Sequence, residues 1–347
     1  GYTSTNYAIN YVAGTLTISK AVLTVTAENK RKLYGAANPA LTATITGFVN
    51  GETESALSGT LQLSTTATTS STVGEYPISV SGYTSSNYAL NYVAGTLTIS
   101  KAVLTVTAEN KTKLYGAANP ELTATITGFV NNETTSAISG APALTTTATQ
   151  TSGAGNYPIN AARGTLSATN YDFTFANGTL TIGKATLTVT AANKIKVFGA
   201  PVPELTYNIT GFLNSDNASA VSGAPSLTTT ATDTSNVGTY PISIARGTLT
   251  AESYEFNFVP AELTISPAAT AVVLVSNLPM SLFGQAVTFT ANVAAVAPGA
   301  GTPTGTITFK DGATVLGTSA LANGQAALTT SALATGAHHI TAEYSGA

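Results

Sequence analysis

The sequence predicts a mainly β protein made of tandem small β-rich modules. Apolar or β-branched residues alternate with threonine in short runs such as Leu23–Ala27 and Thr306–Phe309. A period of two is the pattern of a half-buried strand. Turn dipeptides such as Asn50-Gly51, Asp311-Gly312 and Asn323-Gly324 separate these runs. The same succession of runs and turns recurs along most of the chain, which indicates repeated domains.

Internal repetition predicts the domain organisation. Matching segments begin at Ala21, Ala102 and Ala185, which gives intervals of 81 and 83 residues. We therefore expect three repeats, and we refer to residues 21–101 as repeat 1, 102–184 as repeat 2 and 185–267 as repeat 3. Residues 1–20 match residues 82–101 at all but two positions, so we expect them to be the C-terminal part of a preceding repeat. Residues 268–347 depart from the pattern and are predicted to form a different module, the C-terminal module.

Each repeat is predicted to contain five or six strands and one short helix or 3₁₀ turn. The helical candidates are Glu52–Leu57, Glu133–Ile138 and Asp216–Val221, which follow Asn-rich turns and precede Ser-Gly. Two folds remain open: a β-grasp-like sheet that carries a small helix, which the helix slightly favours, and an Ig-like sandwich. The joints between repeats contain no Gly/Ser linker, so the sequence predicts an extended rod.

Composition argues against most chemistry. Only 8% of the residues are charged, the formal net charge is −3, and cysteine is absent, so a basic nucleic-acid surface, a disulfide frame and a thiolate site are not expected. The chain shows no Ser-His-Asp set, no phosphate loop and no paired acids, and we predict no catalytic residues, no cofactor and no enzymatic activity. It carries no apolar run of membrane-spanning length and does not open with a signal peptide.

Metal binding is not expected either. His338 and His339 are adjacent, and neighbouring residues of a strand point to opposite faces, so they cannot chelate one ion together. No Asp-x-Asp-x-Asp-Gly calcium loop is present. We interpret Glu52 and Glu54 as solvated carboxylates.

A Tyr-Gly-x-x-x-Pro segment recurs in each repeat and is interpreted as a structural turn. Glycine permits a positive φ, and proline fixes the exit of the turn. The third copy replaces tyrosine with phenylalanine, so a hydroxyl is not needed in every copy. The turn residues are Tyr34, Gly35, Pro39, Tyr115, Gly116, Pro120, Phe198, Gly199 and Pro203.

Two sets of basic residues are interpreted as exposed. Lys20, Lys101 and Lys184 lie at the joints, where we expect solvated side chains rather than isopeptide bonds. Lys30–Lys32 becomes Lys111–Lys113 in repeat 2, and this pattern favours a strand edge protected by charge.

The repeats resemble the MBG domains of the YGX type found in bacterial surface proteins. The motifs that carry the resemblance are Tyr34-Gly35 with Asn38-Pro39, Ile45–Phe48, Gly74–Ile78, Asn87-Tyr88 and Gly95–Ile99. Repeat 3 departs, with Val202-Pro203 in place of Asn-Pro and Ser253-Tyr254 in place of Asn-Tyr.

The C-terminal module resembles a bacterial Ig-like repeat through Gly284-Gln285, Pro303–Phe309 and His339–Gly346. This resemblance implies a C-terminal Ig-like β-sandwich. Together the two resemblances imply a large secreted or cell-surface bacterial protein, typically adhesin-like, without catalytic residues.

Three functions remain open. The first is a structural or adhesive stalk that gives reach and contacts the extracellular matrix. The second is a subunit of a self-assembling filament, in which residues 1–20 add a strand to a neighbour. The third and weaker one is carbohydrate binding, with Tyr11, Tyr92 and Phe175 as platforms. The expected partners are therefore other repeats or subunits, matrix or surface glycans, and no nucleic acid.

Overall fold

The computed structural model describes residues 1–346, and strands account for nearly all of its regular structure. Each repeat contains seven strands, one or two more than the sequence predicted, because short four-residue strands lie between turns. The strands of repeat 1 are β1 Ala21–Ala27, β2 Lys30–Leu33, β3 Ala43–Thr46, β4 Ser58–Thr65, β5 Gly74–Thr84, β6 Tyr88–Val93 and β7 Gly95–Ser100.

Repeats 2 and 3 have the same strand order as repeat 1. The strands of repeat 2 are β8 Ala102–Ala108, β9 Lys111–Leu114, β10 Ala124–Thr127, β11 Ala143–Thr146, β12 Gly155–Ala162, β13 Tyr171–Ala176 and β14 Gly178–Gly183. Those of repeat 3 are β15 Ala185–Ala191, β16 Lys194–Val197, β17 Tyr207–Thr210, β18 Ser226–Thr229, β19 Gly238–Ala245, β20 Tyr254–Val259 and β21 Ala261–Ser266.

Two sheets form each repeat. In repeat 1 a three-stranded sheet has the order β3-β1-β6, and a four-stranded sheet has the order β2-β7-β5-β4. The β1–β6 and β2–β7 pairs are parallel, and the other pairs are antiparallel. Leu23 and Val25 of one sheet and Ile78, Leu97 and Ile99 of the other are buried in one core. This two-layer arrangement corresponds to the sandwich alternative.

Of the two predicted possibilities, a short helix or a 3₁₀ turn, the structure has a single 3₁₀ turn in each repeat, at Glu54–Ala56, Thr135–Ala137 and Ala218–Ala220. None of these nine residues is buried. Three residues cannot cover the face of a sheet, and 3₁₀ geometry rarely extends further. The acidic residue at the start of each segment accepts a hydrogen bond from a buried tyrosine, as described below.

The C-terminal module contains two three-stranded sheets, in the orders β22-β23-β26 and β25-β24-β27. Its core includes Phe289, Ile307 and Phe309, all at alternate positions of their strands. The strands are β22 Thr270–Ser276, β23 Val287–Ala295, β24 Gly305–Asp311, β25 Thr314–Ala320, β26 Gln325–Thr330 and β27 Ile340–Gly346.

Residues 1–20 form no strand, and every one of them is exposed. Their near-copy at 82–101 contributes the end of β5 and all of β6 and β7. The same local sequence is therefore a strand only where partner strands hydrogen-bond to it.

The chain divides into two compact units. Unit 1 comprises Gly1–Lys113, Ala118–Thr149 and Gly155–Thr181, and unit 2 comprises Leu114–Ala117, Gln150–Ala154 and the chain from Ile182 onward. Two loop segments of repeat 2 thus belong, by their contacts, with repeat 3. No helix among the described residues is long and apolar enough to cross a membrane.

Candidate functional site: the aromatic-glycine turns

The recurring aromatic-glycine segment forms a tight turn directly after the second strand of each repeat. In repeat 1 the backbone N–H of Ala36 donates to the carbonyl oxygen of Leu33 at 3.1 Å, and Gly35 has φ +80°. Gly116 and Gly199 have φ +83° and +79°. A positive φ is strained for residues with a Cβ, so glycine is the residue that fits this position.

A buried lysine anchors each turn to its own repeat. Lys32 is 8% exposed, and its Nζ donates to the carbonyl oxygens of Ala36 at 3.0 Å and Thr68 at 2.6 Å. The interpretation of Lys30–Lys32 as an exposed basic edge is therefore wrong for Lys32, because alternate residues of an edge strand still face the core. Burial lowers the pKa of Lys32.

The same anchor exists in the other repeats. Lys113 and Lys196 are 9% and 6% exposed. Lys113 Nζ donates to the carbonyl oxygen of Thr149, and Lys196 Nζ donates to that of Ala200, both at 2.7 Å. The sequence carried this signal: lysine recurs at this position in all three repeats, while the preceding residue varies.

The asparagine of the turn adds a second anchor. Asn38 Nδ2 donates to the carbonyl oxygen of Ala67 at 2.7 Å, and Asn119 donates to Ala148 at 2.6 Å. In repeat 3 valine replaces the asparagine, and the Val202 backbone N–H donates instead to Asp233 Oδ1 at 2.9 Å. The turn is thus held to the same loop in every repeat.

The outer face of the turn in repeat 1 lies against repeat 2. We call this contact joint 1. Tyr34 is buried, its hydroxyl donates to Glu133 Oε1 at 2.7 Å, and Tyr171 donates to the other oxygen of the same carboxylate. The rings of Tyr34 and Tyr171 meet edge to face, with centroids 5.5 Å apart. Val130 occupies the space beside Gly35, where an added Cβ would lie 2.4 Å from Val130 Cγ2.

The pKa values of the two tyrosine hydroxyls of joint 1 are raised above the ordinary value of tyrosine. Burial together with the Glu133 hydrogen bond raises the pKa of Tyr171 to about 12. For Tyr34 the hydrogen bond to Glu133 is the larger cause of a raised pKa, and burial adds to it. At neutral pH both groups are therefore hydrogen-bond donors to a carboxylate.

Neighbouring loops extend joint 1. The Val73 backbone N–H donates to Asn170 Oδ1 at 3.1 Å, and Asn131 Nδ2 donates to the carbonyl oxygen of Thr69 at 3.4 Å. The joint therefore comprises the turn and an adjoining loop of one repeat, and two loops of the next.

A second joint of the same kind lies inside unit 2. At this joint, joint 2, the hydroxyls of Tyr115 and Tyr254 both donate to Asp216 Oδ2, at 2.9 and 2.6 Å. Their rings meet edge to face at 5.3 Å, and Leu213 occupies the space beside Gly116. An open cleft of about 540 Å³ borders the three polar side chains. Burial and the Asp216 hydrogen bond raise the pKa of Tyr254 to about 12.

The turn of repeat 3 meets the C-terminal module in a different way, at joint 3. A Cβ on Gly199 would lie 2.2 Å from the backbone oxygen of Ala300, and the Ala300 N–H donates to the carbonyl oxygen of Phe198 at 3.3 Å. Phe198 Cε1 lies 3.2 Å from the Cβ position of Gly301. Backbone and a ring edge replace the hydroxyl–carboxylate pair.

The interpretation of Glu52 as a solvated carboxylate is wrong, because Glu52 is half-buried, whereas Glu54 is exposed as predicted. Both carboxylates accept a hydrogen bond from a tyrosine hydroxyl. Tyr88 donates to Glu52 and Tyr83 donates to Glu54. The recurrence of an acid at Glu52, Glu133 and Asp216, each paired with a buried tyrosine, was the sequence signal for this arrangement.

The joint lysines also have partners. Lys20, Lys101 and Lys184 donate to the backbone carbonyl oxygens of Ser85, Ala168 and Ala251, at 2.8, 3.2 and 2.7 Å. These hydrogen bonds fix the backbone at the start of each repeat. Lys20 and Lys184 are exposed, as predicted, and Lys101 is half-buried.

The remaining candidates lie apart from the joints. His338 Nδ1 contacts Asp311 Oδ2 at 2.6 Å, and no group of metal-binding side chains is found within residues 1–346. Tyr92 donates to the carbonyl oxygen of Tyr83 at 2.8 Å and packs against the core, while Tyr11 and Phe175 are exposed. These three aromatic residues occupy different surroundings and do not form equivalent platforms.

Comparison with protein families assigns both kinds of module. Residues 23–98, 104–181 and 187–264 match the family model of the MBG domain (YGX type), and residues 274–347 match that of the bacterial Ig-like domain (group 3). A comparison with curated proteins found no match.

Several solved structures are similar to the chain at low identity. Domains 1–6 of the surface layer protein SbsC are 15% identical, with 93% of this chain and 52% of that chain covered and a TM-score of 0.20. The adhesin FdeC of Escherichia coli is 12% identical, with 92% and 90% covered and a TM-score of 0.16. The I9–I11 tandem of titin is 12% identical, with 69% and 94% covered and a TM-score of 0.18. The chain spans about half the length of the SbsC structure, and the low TM-scores leave the assignment to the family models.

Proposed function

Since the chain belongs to the MBG domain (YGX type) family over most of its length, we propose that it is a structural stalk segment of a large bacterial cell-surface or extracellular protein. In this function the modules hold their neighbours in place and do no chemistry. The bacterial Ig-like module that follows the repeats supports the same assignment.

One observation carries the proposal: at all three steps along the chain, the aromatic-glycine turn lies on the module that follows it. Tyr34 contacts Glu133, Tyr115 contacts Asp216, and the Phe198-Gly199 backbone contacts Ala300. An isolated domain needs no such outward turn, whereas a series of domains needs contacts between neighbours to limit their relative motion.

Pulling the chain by its ends tests this function. We expect separate unfolding events, each releasing about 260–290 Å of chain, since a repeat of about 80 residues extends by about 3.3–3.6 Å per residue. Extension without discrete events would contradict a stalk that carries tension between its ends.

A second candidate function is self-assembly by strand addition. Residues 1–20 favour it, because they are exposed and unpaired while their near-copy at 82–101 is paired in two sheets. An unpaired strand sequence can complete the sheet of another molecule. Deleting residues 1–20 should abolish polymerisation in light scattering, and unchanged assembly after deletion would exclude this route.

A further inference from the structure

Repeat 1 carries the same receiving face that repeats 2 and 3 present at their joints. The Val49 N–H donates to the Tyr88 hydroxyl at 3.2 Å, and that hydroxyl donates to Glu52 Oε2 at 2.5 Å. Phe48 meets the Tyr88 ring edge to face at 5.8 Å. Val130, Glu133, Tyr171 and Phe129 have the same arrangement in repeat 2, and Leu213, Asp216, Tyr254 and Phe212 have it in repeat 3.

The chain also enters repeat 1 as it enters the other two. The Ala21 N–H donates to the carbonyl oxygen of Asn87 at 3.1 Å, and Lys20 donates to Ser85. The corresponding bonds of Ala102 and Ala185 are 3.0 Å each. The backbone at the start of repeat 1 therefore has the same hydrogen bonds as the backbone at the start of repeats 2 and 3.

Within residues 1–346 no turn lies on this face. Val49 is 47% exposed, and Glu52 Oε1 accepts no hydrogen bond from a described residue. The turns at Tyr34, Tyr115 and Phe198 are all engaged on the modules that follow them. The face has the residues of a joint and lacks the turn.

We propose that Val49, Glu52 and Tyr88 form a binding face for the Tyr-Gly turn of a further repeat of this kind. The contacts at joints 1 and 2 indicate which features of a turn this face binds. The carboxylate takes a second hydroxyl donor, as Glu133 takes Tyr34. The valine packs where glycine leaves room, so a turn with a bulky side chain after the aromatic residue is disfavoured. This inference rests on the joint function proposed above.

Thiol accessibility provides a direct test, because the protein contains no cysteine. Val49→Cys gives one thiol on the proposed face, and Val130→Cys gives the matched thiol under the Tyr34 turn. The two variants are compared in the 347-residue chain and in a longer chain in which a copy of residues 21–81 precedes Gly1. That copy, together with residues 1–20, completes an additional repeat whose turn can reach Val49. Alkylation rates with iodoacetamide report the exposure of each thiol.

We expect the thiol at position 49 to react at least about tenfold more slowly in the longer chain. The fast rate should return when the tyrosine and glycine of the added turn are replaced by alanine and glutamate. Glu52→Gln in the longer chain should restore part of the fast rate without altering the turn, and circular dichroism checks that each variant is folded.

The thiol at position 130 separates the two possible failures. It should react slowly in the 347-residue chain and rapidly when Tyr34→Ala and Gly35→Glu are combined. If the thiol at position 130 is equally reactive with and without the intact turn, the joint function is wrong. If position 130 behaves as expected and position 49 stays reactive in the longer chain, only the binding face is wrong. Slow, concentration-dependent reaction of position 49 in the 347-residue chain would assign the face to a second copy and overturn the proposal.

Discussion

The turns of repeats 1 and 3 share their inner half and differ in their outer half. On the inner side, Lys32 and Lys196 bind backbone carbonyl oxygens of their own repeats, and Gly35 and Gly199 have nearly equal φ angles. On the outer side, Tyr34 donates to a carboxylate of another repeat, whereas Phe198 lies against the backbone of the C-terminal module. The contacts within a repeat therefore determine the conformation of the turn, whereas the contacts with the next module determine whether the aromatic residue is tyrosine or phenylalanine. Tyrosine is present where the next module offers an acid.

The largest effect is expected from removing the shared inner half. Lys32→Met should destabilise repeat 1 by about 2–4 kcal/mol, since it removes the two hydrogen bonds that the buried ammonium group donates to the turn and to the Thr68 loop. Lys196→Met should do the same in repeat 3, whatever module follows. Arg31→Met, one residue away and exposed, should change stability by less than about 0.5 kcal/mol. Hydrogen exchange of peptides from each repeat measures these changes separately, since the modules need not unfold together. Equal effects of Lys32→Met and Arg31→Met would show that the buried lysine is not an anchor.

Adding one methyl group to the turn glycines separates the outer contacts. Gly199→Ala should cost most, about 2–4 kcal/mol, because its Cβ meets the rigid Ala300 backbone. Gly35→Ala should cost less, since Val130 can move, and Gly116→Ala should cost least, because its nearest neighbour is the end of the Leu213 side chain at 2.7 Å.

Gly51→Ala is the matched control for this series. It has φ +72° and nothing within 4 Å of an added Cβ, so it isolates the backbone strain of about 1 kcal/mol. Hydrogen exchange of peptides from each repeat measures the free energy of unfolding of all four variants. If Gly35→Ala lowers it by no more than Gly51→Ala does, the inferred packing of Val130 against the turn is wrong.

Exchanging tyrosine and phenylalanine in the turns tests the contacts with the next module, because the two residues differ by a single oxygen atom. Tyr34→Phe should destabilise joint 1 by about 1–2 kcal/mol, because it leaves Glu133 with one donor fewer. Phe198→Tyr should bring no gain, since its partners at joint 3 are backbone and a glycine. Denaturant unfolding followed by hydrogen exchange gives both values, and a gain from Phe198→Tyr that matches the loss from Tyr34→Phe would refute the link between aromatic residue and acid.

Alkaline pH should weaken joints 1 and 2 by ionising their tyrosine hydroxyls, whereas the contacts of joint 3 contain no tyrosine hydroxyl. The pKa of Tyr171 and of Tyr254 is raised to about 12, above the ordinary value of 10. The stabilisation from the protonated hydroxyl is therefore complete below pH 10 and is lost as the pH rises from 10 towards 12. Absorbance of tyrosinate together with per-repeat hydrogen exchange follows the change. Loss of both joints well below pH 10 would contradict the raised pKa values.

Much of the fold followed from the sequence because alternation and repetition report directly on strands and domains. Leu23, Val25 and Ala27 were predicted to share a face, and all three are buried. The number of strands was too low, since β2, β3 and their equivalents are only four residues long and too short to show a period.

The turn residues were recognised from sequence, and their partners were not. Tyr34 and Glu133 lie 99 residues apart, and no local pattern connects them. Lys32 was misinterpreted because charge suggests exposure, whereas its ammonium group donates to the carbonyl oxygens of Ala36 in the turn and of Thr68, 36 residues away. The acids at Glu52, Glu133 and Asp216 recur in step with the buried tyrosines, and reading the two patterns together would have predicted the pairs.

A double-mutant cycle between Tyr34 and Glu133 tests the central claim most directly. Tyr34→Phe, Glu133→Gln and the combined variant are compared by denaturant-dependent hydrogen exchange of repeats 1 and 2, with Tyr34→Phe and Glu121→Gln as the control pair, since Glu121 is exposed. We predict a coupling energy of about 1 kcal/mol or more for Tyr34 with Glu133 and about zero for the control pair. Additive effects of Tyr34→Phe and Glu133→Gln would show that the turn does not join one repeat to the next.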